Sequence, residues 1–312
     1  MEGLGVLVDE TTPEPSREAL ASEMLSKAAS CASPWTRKYD EACQLYDACI
    51  GQFAGEDLFS LRVVAQARRG KGEVKLRQGD LGAARPMLEG MGAEFAVSHD
   101  ALVAEQGAMA MLALGKELMR LKRCGDAIAV LESADALYST NLKPGVHTTT
   151  SYVLFHLADS YFGEARFDDA LSVYDRVLTR LLTSAARSLA DDIADALSRK
   201  ARVLVKLDQD EEAAVLRSDM LDRYGATEGC EDVVSEARLS LAGALVRLGR
   251  SDDAVGQLKT VIEMAKAILP TLPPGASDEI MYQRWLWSQR VTDAQKKIDA
   301  VRSPPASDDP SS

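Results

Sequence analysis

Along most of the chain apolar residues recur three and four positions apart, the spacing that lays them on one face of an α-helix. Six segments, 39–49, 80–91, 124–134, 167–177, 209–220 and 251–261, repeat one arrangement. Each carries an alanine, at Ala42, Ala84, Ala127, Ala170, Ala213 and Ala254, at intervals of 42, 43, 43, 43 and 41 residues. Four positions on stands a larger side chain: Tyr46, Leu88, Leu131, Tyr174, Arg217 and Leu258, of which Arg217 breaks the apolar rule. Twelve positions before each alanine stands a small residue, Ser30, Gly72, Gly115, Ala158, Ala201 or Ala242, usually followed three later by a bulky one such as Leu118, Tyr161, Leu204 or Leu245. The pattern predicts two helices per repeat that approach closely at the small positions, with bulky side chains filling the space to the next pair. One such hairpin cannot bury both faces, so stability has to come from stacking on its neighbours.

Punctuation sets the expected boundaries. Lys143-Pro144-Gly145 and Tyr224-Gly225 are expected to end second helices, with Thr148 to Thr150 and Asp232 as N-caps of the next first helices. Pro34 and Trp35 interrupt the first repeat after a helix over 16–31. Asp278 to Val301 reads as a long terminal helix whose Tyr282, Trp285 and Trp287 cover the last hairpin, with Leu269 to Gly275 as the hinge before it. The expected organisation is a flexible segment 1–15, a repeat array 16–268, a linker and capping helix 269–302 and a disordered tail 303–312.

Composition agrees with helices: 46% of residues are hydrophobic but only 5% aromatic. A formal net charge of −12 argues against a surface that as a whole embraces nucleic acid or anionic lipid, so neither is an expected partner. The cysteines, Cys31, Cys43, Cys49, Cys124 and Cys230, are odd in number and form no C-x-x-C pair, which reads as reduced thiols. The first ten residues lack the basic start and long apolar stretch of a secretion signal, and apolar runs such as Ala108 to Leu114 fall short of a membrane span. A cytoplasmic location is expected. Three histidines, His99, His147 and His156, show no ligand spacing, and no Gly-x-Ser-x-Gly elbow occurs, so no metal, no cofactor and no enzymatic activity are expected. The run Arg68 to Gly72 lacks the frame of a phosphate loop, and Gly72 already has a packing role. Acid pairs at Asp168-Asp169, Asp210 to Glu212 and Asp252-Asp253 stand where helix N-termini are expected and read as helix caps.

At Leu157, Ala158, Tyr161, Ala170 and Tyr174, and again at Leu241, Ala242, Leu245, Gly249 and Ala254, the chain resembles the tetratricopeptide repeat family; the resemblance covers about residues 23–265. The family repeat has 34 residues, so the longer repeat here is similar to the variant found in kinesin light chains. The resemblance implies an all-α, right-handed superhelical α-solenoid of about six hairpins with a C-terminal capping helix. It also implies that first helices line a concave face where ligands lie. The inward positions it implies are Arg69, Leu76 and Arg77; Lys116 and Arg120; Tyr152, Phe155, His156, Asp159 and Phe162; Arg199, Arg202 and Lys206; and Leu239 and Arg247, with further residues beside them. Counted over the whole face, bases outnumber acids. The expected function is therefore a non-enzymatic scaffold or adaptor holding an extended, acidic peptide segment of another protein, with Tyr152, Phe155 and Phe162 taking its apolar side chains. Against this, Arg77, Arg120, Lys206 and Arg247 all stand near a first-helix end, where a cation suits the helix dipole whatever binds. A peptide sensor acting through a partner protein and a structural subunit or homo-oligomer are the alternatives.

Overall fold

The computed structural model describes residues 14–183, 190–273 and 277–302. The expected segments 1–15 and 303–312 fall outside these almost entirely, as does the end of the expected hinge. Among the described residues there is no strand, and the helices are α1 (Glu14–Cys31), α2 (Tyr39–Gln52), α3 (Leu58–Arg77), α4 (Leu81–Ala96), α5 (Ala101–Arg120), α6 (Cys124–Tyr138), α7 (Pro144–Gly163), α8 (Phe167–Thr183), α9 (Ala190–Lys206), α10 (Asp210–Tyr224), α11 (Glu231–Arg247), α12 (Ser251–Ile268) and α13 (Asp278–Arg302). A short 3-10 turn, Leu269–Thr271, precedes α13. The chain forms two compact units, Met1–Arg166 and Phe167–Ser312.

In the first unit α1–α2, α3–α4 and α5–α6 are antiparallel hairpins, first helices lie beside first helices, and α7 packs on both α5 and α6. In the second unit α8 packs on α9, the hairpins α9–α10 and α11–α12 follow, and α13 closes on α12. The repeat alanines explain the close approach: Ala42, Ala84, Ala127, Ala170, Ala213 and Ala254 are all fully buried. The small residues opposite them are needed for the same reason. A Cβ on Gly72 would come 2.4 Å from Leu88 Cδ2, and one on Gly115 2.5 Å from Leu131 Cδ2.

The hairpin corners share a backbone device that the apolar pattern does not reveal. Five residues before each repeat alanine the backbone is left-handed, at Arg37, Gly79, Lys122, Ala165, Asp208 and Gly249, with φ between 51° and 77°. At five of the six the next residue donates its N–H to a carbonyl five positions back: Asp80 to Lys75, Arg123 to Leu118, Arg166 to Tyr161, Gln209 to Leu204 and Arg250 to Leu245, at 2.8–3.0 Å. This is the Schellman arrangement, which closes one helix and launches the next. A side chain in that region carries a steric cost that glycine avoids. Lys122→Gly is therefore expected to stabilise the first unit by about 0.5–1 kcal/mol, read as a rise in the urea midpoint.

Several expectations are corrected. Lys143-Pro144-Gly145 does not end a second helix: α6 stops at Tyr138, and Pro144 begins α7, where its missing N–H costs nothing. Thr148 and Thr150 lie inside α7 and return their hydroxyls to the carbonyls of Pro144 and Val146, and Asp232 lies within α11 behind the N-cap Cys230. Tyr224-Gly225 does end α10. Of the acid pairs, Asp210 and Asp253 sit in first turns, where their charge suits the helix N-terminus, and pair with Arg247 and Arg250. Side-chain caps come instead from Asp57, Asp80 and Asp100, which accept from the N–H groups of Ser60, Ala83 and Val103. Asp57 also takes the Ser60 hydroxyl and Arg17, which together hold its carboxyl down at about 2. Of the three aromatics on α13 only Trp287 is buried, with Arg290, Ala294 and Ile298, whereas Tyr282 and Trp285 are more than half exposed and stack on each other.

Candidate functional site

Each unit carries a first-helix face of its own, and the residues expected to line a concave wall divide between them. In the first unit α1 and α3 border a cleft of about 560 Å³. Its wall includes Gln66, Arg69, Glu73 and Arg77 from α3, Glu18, Ser22 and Ser26 from α1, and Tyr46 from α2. Tyr46 reaches it because α3 has no side chain at Gly70, where a Cβ would come 2.5 Å from the tyrosine ring. Burial pushes the Tyr46 phenol up, with the Glu73 carboxylate acting in the same direction. Arg69 pairs with Glu73 and donates Nε to Gln106 Oε1 at 2.6 Å; exposed Arg77 donates to the Ala32 carbonyl at 2.9 Å. The cleft thus holds charges of both signs.

Farther along that unit Lys116 and Arg120 are exposed on α5, and Arg120 Nε donates to Glu117 at 2.8 Å. On α7 Tyr152 is 40% exposed and stacks on Phe155, with ring centroids 6.4 Å apart. Phe155 is itself only 5% exposed, and Leu76 of α3 is buried too, so neither offers a guest an open contact. They belong to the packing between helices, because a helix flanked on both sides buries more of its circumference than its outward stripe suggests. His156, Asp159 and Phe162 are half-buried. The expected aromatic centre is reduced to Tyr152 and part of Phe162.

In the second unit Arg202 and Lys206 of α9 and Arg247 of α11 are exposed, and Arg199 is half-buried with Nε 2.9 Å from Asp195 Oδ1. Arg247 Nε donates to Asp210 Oδ2 at 2.7 Å, and that bond together with the carboxylate charge raises the guanidinium pKa. Leu239 of α11 is buried rather than inward-facing. Several of the bases counted for the groove, Arg69, Arg120, Arg199 and Arg247, therefore have an acid beside them. Sequence positions could not show the contribution of Glu117 and Asp210, which were not counted as inward. In the sequence Arg217 shows only as an irregularity of the ladder. It is 3% exposed on α10, and burial brings its pKa down to about 10.

All five cysteines are free thiols, and burial lifts Cys49 to about 11. Among the described residues no group of three His, Cys, Asp or Glu side chains could hold a metal ion, and no helix is long and apolar enough to cross a membrane.

The tetratricopeptide repeat family model matches residues 152–180. No curated protein matches the chain. Solved structures do. BtubC (BKLC) from P. vanneervenii is 13% identical with a TM-score of 0.59, over 77% of this chain and 95% of that one. Kinesin light chain-type, nearly identical TPR-like repeats from Podosopora anserina are 19% identical with a TM-score of 0.51, over 65% of this chain and 95% of theirs. With the alanine ladder, the facing small residues and the repeated hairpins, these likenesses show a tetratricopeptide-type helical repeat fold, which the family model matches over residues 152–180.

Proposed function

We propose that the chain is a non-enzymatic interaction module that holds an extended segment of another protein against its first helices, and that the segment's acidic residues meet α9 and α11. The observation that carries this reading is local charge. Arg202, Lys206 and Arg247 project from these two helices into solvent in a chain whose formal net charge is −12. Arg199 stands beside them, and exposed cations on one face attract carboxylates and set the register of an extended guest. The cleft between α1 and α3, with its mixed charges, suits a polar stretch instead. The partner is a protein or peptide, and the setting consistent with free thiols is a reducing one such as the cytoplasm.

The test is selection from a displayed random-peptide library against the full chain, followed by affinity measurement on the Arg199→Glu, Arg202→Glu double variant. Selected peptides are expected to be rich in Asp and Glu, and the double reversal to weaken them by about 100-fold, roughly 1.4 kcal/mol per reversed charge. Neutral or basic selected peptides, or unchanged affinity, would reject the reading.

A second reading, a structural subunit, has one observation in its favour: Met281, Tyr282 and Trp285 are more than half exposed near the start of α13. Light scattering after size exclusion separates the two. The adaptor reading expects a monomer at low micromolar concentration, the subunit reading a stable oligomer.

A further inference from the structure

Arg217 stands where the other five repeats have Tyr46, Leu88, Leu131, Tyr174 and Leu258. At this position Leu88 and Leu131 lie directly on the small residue of their first helix, Gly72 and Gly115. The same register puts Arg217 over Ala201 of α9, beside α11 on which α10 also packs. A leucine ends there, but an arginine continues past the small residue. Of the two tyrosines at this position Tyr174 is fully buried, whereas Tyr46 lines the first-helix cleft of its own unit together with Arg69, Glu73 and Arg77, so a longer side chain can reach that face. The Arg217 guanidinium correspondingly comes within electrostatic reach of Arg202 and Arg247, two of the bases on the α9–α11 face, and of Glu236 and Asp210.

Arg217 is buried, and its Nε and Nη1 have no hydrogen-bond partner among the described residues. Asp210 is bonded to Arg247 instead. A buried guanidinium with unpaired donors is unfavourable, and an alkyl side chain of similar bulk would pack at this place without that cost. Burial is the main cause of its depressed pKa; the Arg247 charge adds to it, and Glu236 and Asp210 oppose it.

We infer that Arg217 is the anchoring point for one carboxylate of the guest, an Asp or Glu side chain received between α9 and α11 with Arg202 and Arg247 alongside. The inference rests on the peptide reading given above and assigns the guest's acid a particular partner. The planar guanidinium offers a carboxylate two parallel N–H donors, which lysine cannot reproduce. A guest carboxylate reaching the group would give its buried Nε and Nη1 donors the acceptor they lack.

Hexaglutamate is the probe, titrated into the full chain at constant ionic strength, with hexaglutamine as the uncharged control. In the wild type, hexaglutamate at ten times its Kd is expected to raise the thermal midpoint by about 3 °C and to move the Arg217 Nε–Hε NMR resonance; hexaglutamine does neither. Arg217→Leu, which restores the residue type of the other repeats, is expected to melt at or above the wild-type midpoint and to bind hexaglutamate at least about 10-fold more weakly. Arg217→Lys, which keeps the charge and loses the fork, should also bind more weakly. Undiminished binding by Arg217→Leu, or an Arg217 resonance that stays still, overturns the inference. If affinity survives in Arg217→Leu but is lost in the Arg199→Glu, Arg202→Glu variant, the groove stands and the anchor falls; if it survives in both, the groove reading falls as well. A shift caused by inorganic phosphate alone, with none from hexaglutamate, overturns the assignment to a peptide carboxylate.

Discussion

Gly107→Ala is expected to cost the first unit about 2–4 kcal/mol, far more than the helix propensity of alanine returns. A Cβ there would lie 2.2 Å from Tyr138 Oη, 2.9 Å from Phe95 Cβ and 3.2 Å from the Met91 carbonyl oxygen. Tyr138 cannot simply retreat, because it is 1% exposed and donates its hydroxyl to the Gly92 carbonyl at 2.6 Å. That bond ties the end of α6 to α4, and burial accordingly pushes the Tyr138 phenol up. Space for the methyl therefore costs either this hydrogen bond or the α4–α5 contact. Gly90 on α4 is the control, since nothing lies within 4 Å of a Cβ there and alanine should stabilise by up to about 1 kcal/mol. Urea unfolding measures both, and equal effects at the two sites would show that close approach is not what Gly107 provides.

The second large effect is expected at the terminal helix. Trp287 is 2% exposed, and the Arg290 guanidinium lies 4.6 Å from its ring centroid while donating to Asp232 Oδ1 at 2.7 Å. Trp287→Ala should remove about 3–5 kcal/mol from the second unit, because it empties a large volume and leaves Arg290 without its aromatic support. Hydrogen exchange should speed up along α13 and on the α12 surface beneath it. Tyr282→Ser and Trp285→Ser alter exposed side chains and should change stability by less than about 0.5 kcal/mol. A Trp287→Ala variant with unchanged exchange on α13 would show that the helix is held by something else.

The apolar ladder was legible because the same contact recurs. Ala84 and Gly72 are small for one reason, and the neighbouring repeats repeat that reason at a fixed spacing. The hairpin corners were less legible: only Gly79 and Gly249 carry the glycine that usually signals a left-handed residue, while Arg37, Lys122, Ala165 and Asp208 adopt it under the direction of the flanking helices. The start of α7 is hard to place from sequence because Lys-Pro-Gly closes a helix about as readily as Pro opens one; α6 has already stopped at Tyr138, so Pro144 opens α7. At the candidate site, positions were easier to find than accessibility. Arg202, Lys206 and Arg247 are exposed where inward residues were expected, but Phe155, Leu76 and Leu239 are consumed by neighbouring helices that a single-helix projection does not include. The acids that offset the bases lie outside the projected stripe: Glu117 one position beside it, and Asp210 at the start of α10, the helix before that of its partner Arg247. Arg217 stands out in the ladder as a charge at an otherwise apolar position, but only the packing shows that it is buried with donors left unpaired.

These features leave the account resting on which face receives the partner. Crosslinking mass spectrometry of the full chain with a selected acidic peptide, using an amine-reactive reagent, reports that directly. The account predicts crosslinks at Lys206, exposed on the first helix α9, and none above background at Lys259 or Lys266, exposed on the second helix α12. Crosslinks concentrated on Lys259 and Lys266, with Lys206 untouched, would contradict it.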